Sequence, residues 1–377
     1  MGSQLGGGDD FLEIEDLNQM GVDQNAGERL MGIIDRGIGL PELPIGGAEL
    51  LSMIRRPIEQ IDSRHVIQLI EGQPSLSAQL LKIANSVHYG FKRRIHTLRH
   101  AVNLVGLEET LATINYFVFA RLMRLETRSQ RFDCDAFLAH SLACATAARH
   151  LGGPQYLLQT LPGELYLIGL FHDVGKVLMA THAPNEYDYC LHIAAEAQIP
   201  VYRVERQVLG LDHALLGAHL LDGWDMPRSI LDAVAMHHDP AAAQAESRNA
   251  TAAIEFSDVV ANSIGFGDNP HLVPTDTWFC QVGQGPGSSP IGRQKALERL
   301  TLVIREQDER LRTALESRSD APEPSREAGE SVPDPAPAAS EHQRPEGQPL
   351  AIKSATNHPV RHWLSTLWRR VAEPSRQ

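Results

Sequence analysis

Apolar residues recur at three- and four-residue intervals along most of the chain, and no stretch alternates apolar and polar residues as a strand does. Leu76, Leu80, Ile83 and Val87 form one such series, and residues 108–124 form another. The pattern predicts an all-α protein between about residues 28 and 315, with helices punctuated by Gly and Pro. Residues 1–27 are Gly- and Asp-rich and lack a helical period, so they read as a flexible arm. A Gly-rich loop at 282–292 precedes a last charged helix, Arg293 to Leu315. Residues 316–357 are rich in Pro, Glu, Ser and Ala; such a segment buries no core and reads as a disordered linker. In the final stretch, 358–377, Trp363, Leu364, Leu367, Trp368 and Val371 share one helical face flanked by Arg361, Arg369 and Arg370. That amphipathic tail helix suits docking on a partner, on the protein's own core, or peripherally on an anionic membrane.

Composition narrows the class. A chain of 377 residues that is 42% hydrophobic can bury more than one small core. A formal net charge of -13 speaks against a general nucleic-acid surface, which needs excess Lys and Arg. The cluster Lys92-Arg93-Arg94 reads as a solvated turn. Val66–Ala84 has the outline of a helix-turn-helix but lacks a basic recognition helix, so DNA is not an expected partner. Cys134, Cys144, Cys190 and Cys280 include no CxxC pair and read as reduced thiols. The first residues carry no signal-peptide pattern, and the apolar run Leu165 to Phe171 is too short to span a bilayer, so a cytoplasmic protein is expected.

One segment raises a chemical question. Leu165–Met179 is apolar nearly all round, as a fully buried helix is, yet it contains His172 and Asp173. A buried carboxylate requires a compensating cation or hydrogen bonds. Helical spacing puts further polar residues on apolar faces: His140 with Phe137 and Cys144, His213 with Leu216 and Leu220, His237 with Ile230 and Val234, and Asp258 with Ile254 and Ala261. His238 adjoins His237. Any one of these alone reads as a hydrogen-bonded core residue. Together they form an imidazole and carboxylate set suited to Fe, Mn, Zn or Ni rather than Ca, as one ion or two. His88, His96, His100, His150, His182 and His192 carry no such reading.

The order H…HD…H…HH…D resembles the HD superfamily of metal-dependent phosphohydrolases, and most closely its HDOD branch, an output domain of bacterial signalling proteins. Leu40–Ile54 resembles that family's opening LPxLP and helix, Leu76–Gly90 its LLxxANSxxYG segment, and Ile95–Gly106 its following helix. Gly169–Met179 is similar to GLLHDIGKLxL, and His213–Pro240 to HxxxGAxLLxxWxLPxxIxxAIxxHHxP. The resemblance implies two packed helical bundles: an N-terminal one over 28–127 and an HD-like one with a C-terminal extension over 128–315.

It also implies a ligand set. His140, His172, Asp173 and Asp258 would hold a first ion, and Asp173 would bridge to a second held by His213, His237 and His238. Lys176, one turn beyond the HD pair, would contact a phosphate or serve as a salt-bridge partner. The implied role is regulatory, through a signalling protein partner or a nucleotide. The alternative is a metal-dependent phosphohydrolase acting on a nucleotide or cyclic nucleotide. The Gly-Tyr-Pro motif of the cyclic di-GMP phosphodiesterases is absent: Asp239-Pro240-Ala241-Ala242 follows the HH pair.

Overall fold

The structure, a computed structural model, describes residues 25–267 and 290–316, apart from 38–40, 42, 44–45, 87–88, 90–93 and 157. Among the described residues there are helices and turns and no strand. The 316–357 linker beyond its first residue, the 358–377 helix and most of the 282–292 loop and of the arm lie outside the described residues.

The first helix, α1 (Ala26–Arg36), begins inside the span read as a flexible arm. Ala26 and Gly27 are buried, because α1 packs against helices of the HD-like bundle rather than against its sequence neighbours. The N-terminal bundle comprises α2 (Gly47–Met53), α3 (Ser63–Glu71), α4 (Pro74–Ala84), α5 (Leu98–Val105) and α6 (Leu107–Met123). Local chemistry sets these boundaries. Asp62 caps α3 by accepting from the Arg64 backbone N–H, Thr97 caps α5, and Pro74 starts α4 where its missing N–H is harmless.

The HD-like bundle comprises α7 (Cys134–Leu151), α8 (Pro162–Phe171), α9 (Val174–His182), α10 (Pro184–Ala197), α11 (Val201–Leu209), α12 (His213–Gly223), α13 (Arg228–Ala235) and α14 (Arg248–Ser263). Asp133 caps α7 by accepting from the N–H groups of Asp135 and Ala136, and Asp212 caps α12 through Leu215 N–H. The long α15 (Pro290–Glu316) packs on α7 and α14 and also on α4, so it spans both bundles. The bundles are joined by Phe119 of α6 meeting Phe171 of α8 edge-on at 5.0 Å, each ring fully buried and each contributing about 1.5–3 kcal/mol of burial. Glu109 of α6 accepts from Arg149 of α7 at 2.8 Å and from Arg310 of α15 at 3.4 Å.

The segment Leu165–Met179 is not one helix. It breaks at His172–Asp173, where Asp173 takes φ -102 and ψ 9, and α9 starts afresh at Val174. Burial on all sides hides this break from the apolar pattern, since both halves are apolar all round. The break turns two adjacent side chains into one interior space. Two glycines allow the close approach there. A Cβ on Gly169 would lie 2.6 Å from Ala145 Cα of α7, and one on Gly175 would lie 2.1 Å from the His213 carbonyl oxygen of α12.

Candidate metal centre

All seven residues singled out from the sequence converge at the junction of α7, α8, α9, α12, α13 and α14. The Asp173 carboxylate lies between two groups. Its Oδ2 is 3.5 Å from His140 Nε2, 3.4 Å from His172 Nε2 and 2.7 Å from Lys176 Nζ. Its Oδ1 is 3.0 Å from His213 Nε2 and 3.7 Å from His237 Nε2. Asp258 Oδ1 completes the first group, 3.1 Å from His140 Nε2 and 3.9 Å from His172 Nε2. His238 completes the second, its Nε2 2.9 Å from His213 Nε2. Lys176 therefore sits as the ion-pair partner of Asp173.

The outer ring nitrogens are held in place. His172 Nδ1–H donates to the Gly169 carbonyl at 2.8 Å and His237 Nδ1–H to the Val234 carbonyl at 2.7 Å. His140 Nδ1–H donates to the Phe266 carbonyl. His213 Nδ1–H donates to Glu205 Oε2 at 2.7 Å. A neutral ring that donates from Nδ1 presents a bare lone pair at Nε2. Four Nε2 atoms thus face inward, each with a bare lone pair when its ring is neutral. The Nε2 atoms of His140 and His172 stand 3.3 Å apart, where two bare lone pairs repel unless a proton or a cation lies between them. His237 Nε2 is buried with no hydrogen-bond partner.

Three overlapping triads, His140–His172–Asp258, His172–Asp173–His237 and His213–His237–His238, each place their ligand atoms within 4.8 Å of one another. This donor set, an orphaned buried nitrogen included, fits a transition metal. Burial is nearly complete: His172 is 0% exposed, Asp173 2%, His213 1% and His237 1%.

The electrostatics follow from the same contacts. Burial disfavours a charged His213, but Glu205 and Asp173 outweigh it and push the ring up to about 10. Burial, with His172 beside it, lowers His237 to about 3, and burial also holds His238 well below the ordinary value. Burial opposes ionisation of Asp258, yet the His140 hydrogen bond takes it down to about 2. Asp173 is held well below the carboxylate range by His172, Lys176 and His213 against the cost of burial.

Two contributors escaped the sequence reading. Glu205, fully buried on α11, accepts from His213, and Tyr202 on the same helix stacks on the His238 ring at 4.1 Å. The signal for Glu205 was present: it falls one turn after Val201 and one before Leu209, on the apolar stripe of an otherwise polar helix. His150 and His192 lie elsewhere, against Tyr156 and Glu196 respectively.

An all-α, two-bundle architecture with an H…HD…H…HH…D cluster at one junction defines a helical protein of the HD type. Residues 40–240 match the HDOD domain, more than half of the chain, and the protein belongs to the HDOD family. It is similar to an uncharacterised protein of Treponema pallidum, 26% identical over 245 residues, covering 63% of this chain but 45% of that one. The chain therefore spans less than half the length of that curated relative. Its fold is similar to an HDOD domain protein of unknown function from Geobacter sulfurreducens, with a TM-score of 0.58, 22% identity, and coverage of 78% of this chain and 98% of the other. It is also similar to a candidate signal transduction protein from Marinobacter aquaeolei, with a TM-score of 0.61, 18% identity, and coverage of 78% and 66%. Among the described residues no helix is long and apolar enough to cross a membrane.

Proposed function

We propose that this HDOD protein is a regulatory component of bacterial signal transduction, whose HD-type cluster is a closed, metal-holding core and whose output is the binding of a partner protein or a nucleotide. The observation that carries this reading is the burial of the cluster. A hydrolytic metal site keeps a coordination position open to water and substrate, whereas a structural site is closed by protein ligands and contributes folding energy. Here Asp258, 14% exposed, and His238 are the two partly buried ligand-type side chains, and the other five are buried. The fold relative described as a candidate signal transduction protein supports the same class.

His140, His172, Asp173 and Asp258 would hold one ion, and Asp173, His213, His237 and His238 a second. When bound, Fe, Mn, Zn or Ni would supply positive charge that neutralises the buried carboxylates. The chain's own residues do the rest. Gly169, Val234 and Phe266 carbonyls and Glu205 set the ring tautomers, and the α8–α9 break aims the HD pair inward.

One proton must leave. A metal takes the neutral imidazole, while His213 near a pKa of about 10 is protonated at neutral pH. Affinity for Mn(II) should therefore rise with pH through the neutral range, and titration calorimetry in buffers of different ionisation enthalpy should register proton release at pH 7. Binding without proton release contradicts this account of His213. In the metal-free protein the sign for stability is the reverse: the raised His213 pKa contributes stability that is complete below about 6.5 and lost as pH climbs through about 10.

A second reading, a metal-dependent phosphohydrolase, draws on the division of Asp173 between two groups, the layout of a carboxylate bridging a hydrolytic metal pair. In that case Lys176 would exchange Asp173 for a substrate phosphate. The experiment that separates the two is a panel of cyclic dinucleotides, nucleotides and phosphodiesters offered to protein loaded with Mn(II) or Fe(II). The regulatory reading expects no turnover, cyclic di-GMP included. Turnover above about 1 per second that Asp173→Asn abolishes would establish the enzyme instead.

A further inference from the structure

The second half of the cluster depends on a helix that contributes no ligand-type atom to it. On α11, Tyr202, Glu205 and Arg206 lie at spacings of three and four and so share a face. Each grips a different part of the neighbouring site. Glu205 Oε2 accepts from both the backbone N–H of His213, at 2.8 Å, and its ring Nδ1–H, at 2.7 Å. The backbone N–H is one of the donors left without an intrahelical partner at the start of α12, so one carboxylate oxygen caps the helix and orients the ring. The Tyr202 ring lies almost parallel to that of His238, 14° apart in plane. Arg206 pairs with Asp212 at 2.6 Å, and the other oxygen of Asp212 caps α12 through Leu215 N–H at 2.9 Å. The guanidinium of Arg206 also stands 5.0 Å from the Tyr202 ring centre. The first group has no comparable dependence: His140 and His172 are oriented by the Phe266 and Gly169 carbonyls.

We propose that α11 is the positioning helix of the second half-site, with Glu205 holding the Nδ1–H of His213 so that Nε2 is the ring atom turned toward Asp173, and Tyr202 holding His238 against it. The physical reason is the cost of the alternatives. His213 can turn its ring over, or move its proton from Nδ1 to Nε2, only by taking the ring donor away from a wholly buried carboxylate. Glu205 already carries one oxygen, Oε1, that is buried without a hydrogen bond, so losing the ring contact would leave the whole carboxylate with the His213 backbone N–H alone. A carboxylate behind a ligating imidazole also strengthens the ring as a donor. The two half-sites then differ in kind. The first is oriented by backbone carbonyls, Gly169 of α8 and Phe266 of the turn after α14, whereas in the second His213 and His238 depend on the docking of α11 and His237 alone is held by a carbonyl, that of Val234.

This inference rests on the metal reading above, and its test separates the two. Full-length protein, stripped with chelator and titrated with Mn(II), is followed by calorimetry and electron paramagnetic resonance. Wild type is expected to take two ions per chain and to show a spin-coupled pair. Glu205→Gln and Tyr202→Ala should each weaken the second ion by about 10–100-fold while the first binds within about threefold of wild type, giving an uncoupled Mn(II) signal at one equivalent. Equal affinity for both ions in wild type and Glu205→Gln, or parallel loss of both ions in a folded variant, overturns the positioning role. If wild type binds no Mn(II), the metal reading fails, and the inference is then read from ring nitrogen shifts. ¹⁵N spectra should show His213 protonated at Nδ1 in wild type and released from that state in Glu205→Leu. An unchanged His213 signal in that variant overturns it. Circular dichroism melts confirm that each variant is folded, and Tyr202→Ala tests the helix without burying a new polar group.

Discussion

Asp173→Ala is expected to empty the cluster of metal and to lower stability by about 3–5 kcal/mol, the usual consequence of removing one partner from a buried charge network. Asp173 is the carboxylate shared by both halves, through Oδ2 to His140, His172 and Lys176 and through Oδ1 to His213 and His237. Without it, Lys176 loses its 2.7 Å carboxylate partner and His213 keeps only Glu205 as an acidic neighbour, while Asp258 is the one carboxylate left among the seven. Asp173→Asn keeps the volume and removes only the charge, so its deficit separates electrostatics from packing. Elemental analysis and thermal melts of the two variants check this. Metal content equal to wild type in Asp173→Ala would exclude Asp173 as a ligand.

Gly175→Ala is expected to be nearly as severe, for a steric reason. The added Cβ would sit 2.1 Å from the His213 carbonyl oxygen, a backbone atom at the first turn of α12 that no rotamer change can move aside. Helices α9 and α12 must separate, at a cost of about 3 kcal/mol for overpacking. Because His213 itself is displaced, Mn(II) affinity should fall along with the melting temperature. Gly152→Ala is the control. Its Cβ would meet Pro162 Cα at 2.7 Å, at the α7–α8 turn and away from the cluster, so it should lose stability without losing metal affinity. Metal binding preserved in a destabilised Gly175→Ala would show that the close approach of α9 and α12 does not shape the site.

The helical class and the seven-residue cluster were legible because helical spacing put His140, His213, His237 and Asp258 on apolar faces, where polar groups need a reason to be. The break at His172–Asp173 was not legible. Period analysis detects a change of direction only when one face is polar, and residues 165–179 have hardly any polar face. The placement of α1 on α9 and α12 was equally hidden, since it joins segments far apart in sequence; Gly27 also comes so near the end of α11 that a Cβ would lie 1.9 Å from the Leu209 carbonyl oxygen. Glu205 was visible only as a carboxylate on an apolar stripe. Its role needed the turn at Gly210, which brings the α12 N-terminus back onto α11. Lys176 shows the limit from the other side: its position one turn beyond the HD pair was read correctly, but whether it faces a phosphate or Asp173 depends on what occupies the site.

The account turns on what holds Asp173 in a nearly sealed interior. Elemental analysis of the full-length protein, purified without chelator or affinity metal, addresses this most directly. The account predicts Fe, Mn, Zn or Ni approaching two ions per chain, with a lower melting temperature after chelation, since a ligand bound only by the folded state stabilises it. A blank analysis together with an unchanged melt on chelation would contradict it, leaving a metal-free core in which Lys176 and the imidazoles alone neutralise Asp173.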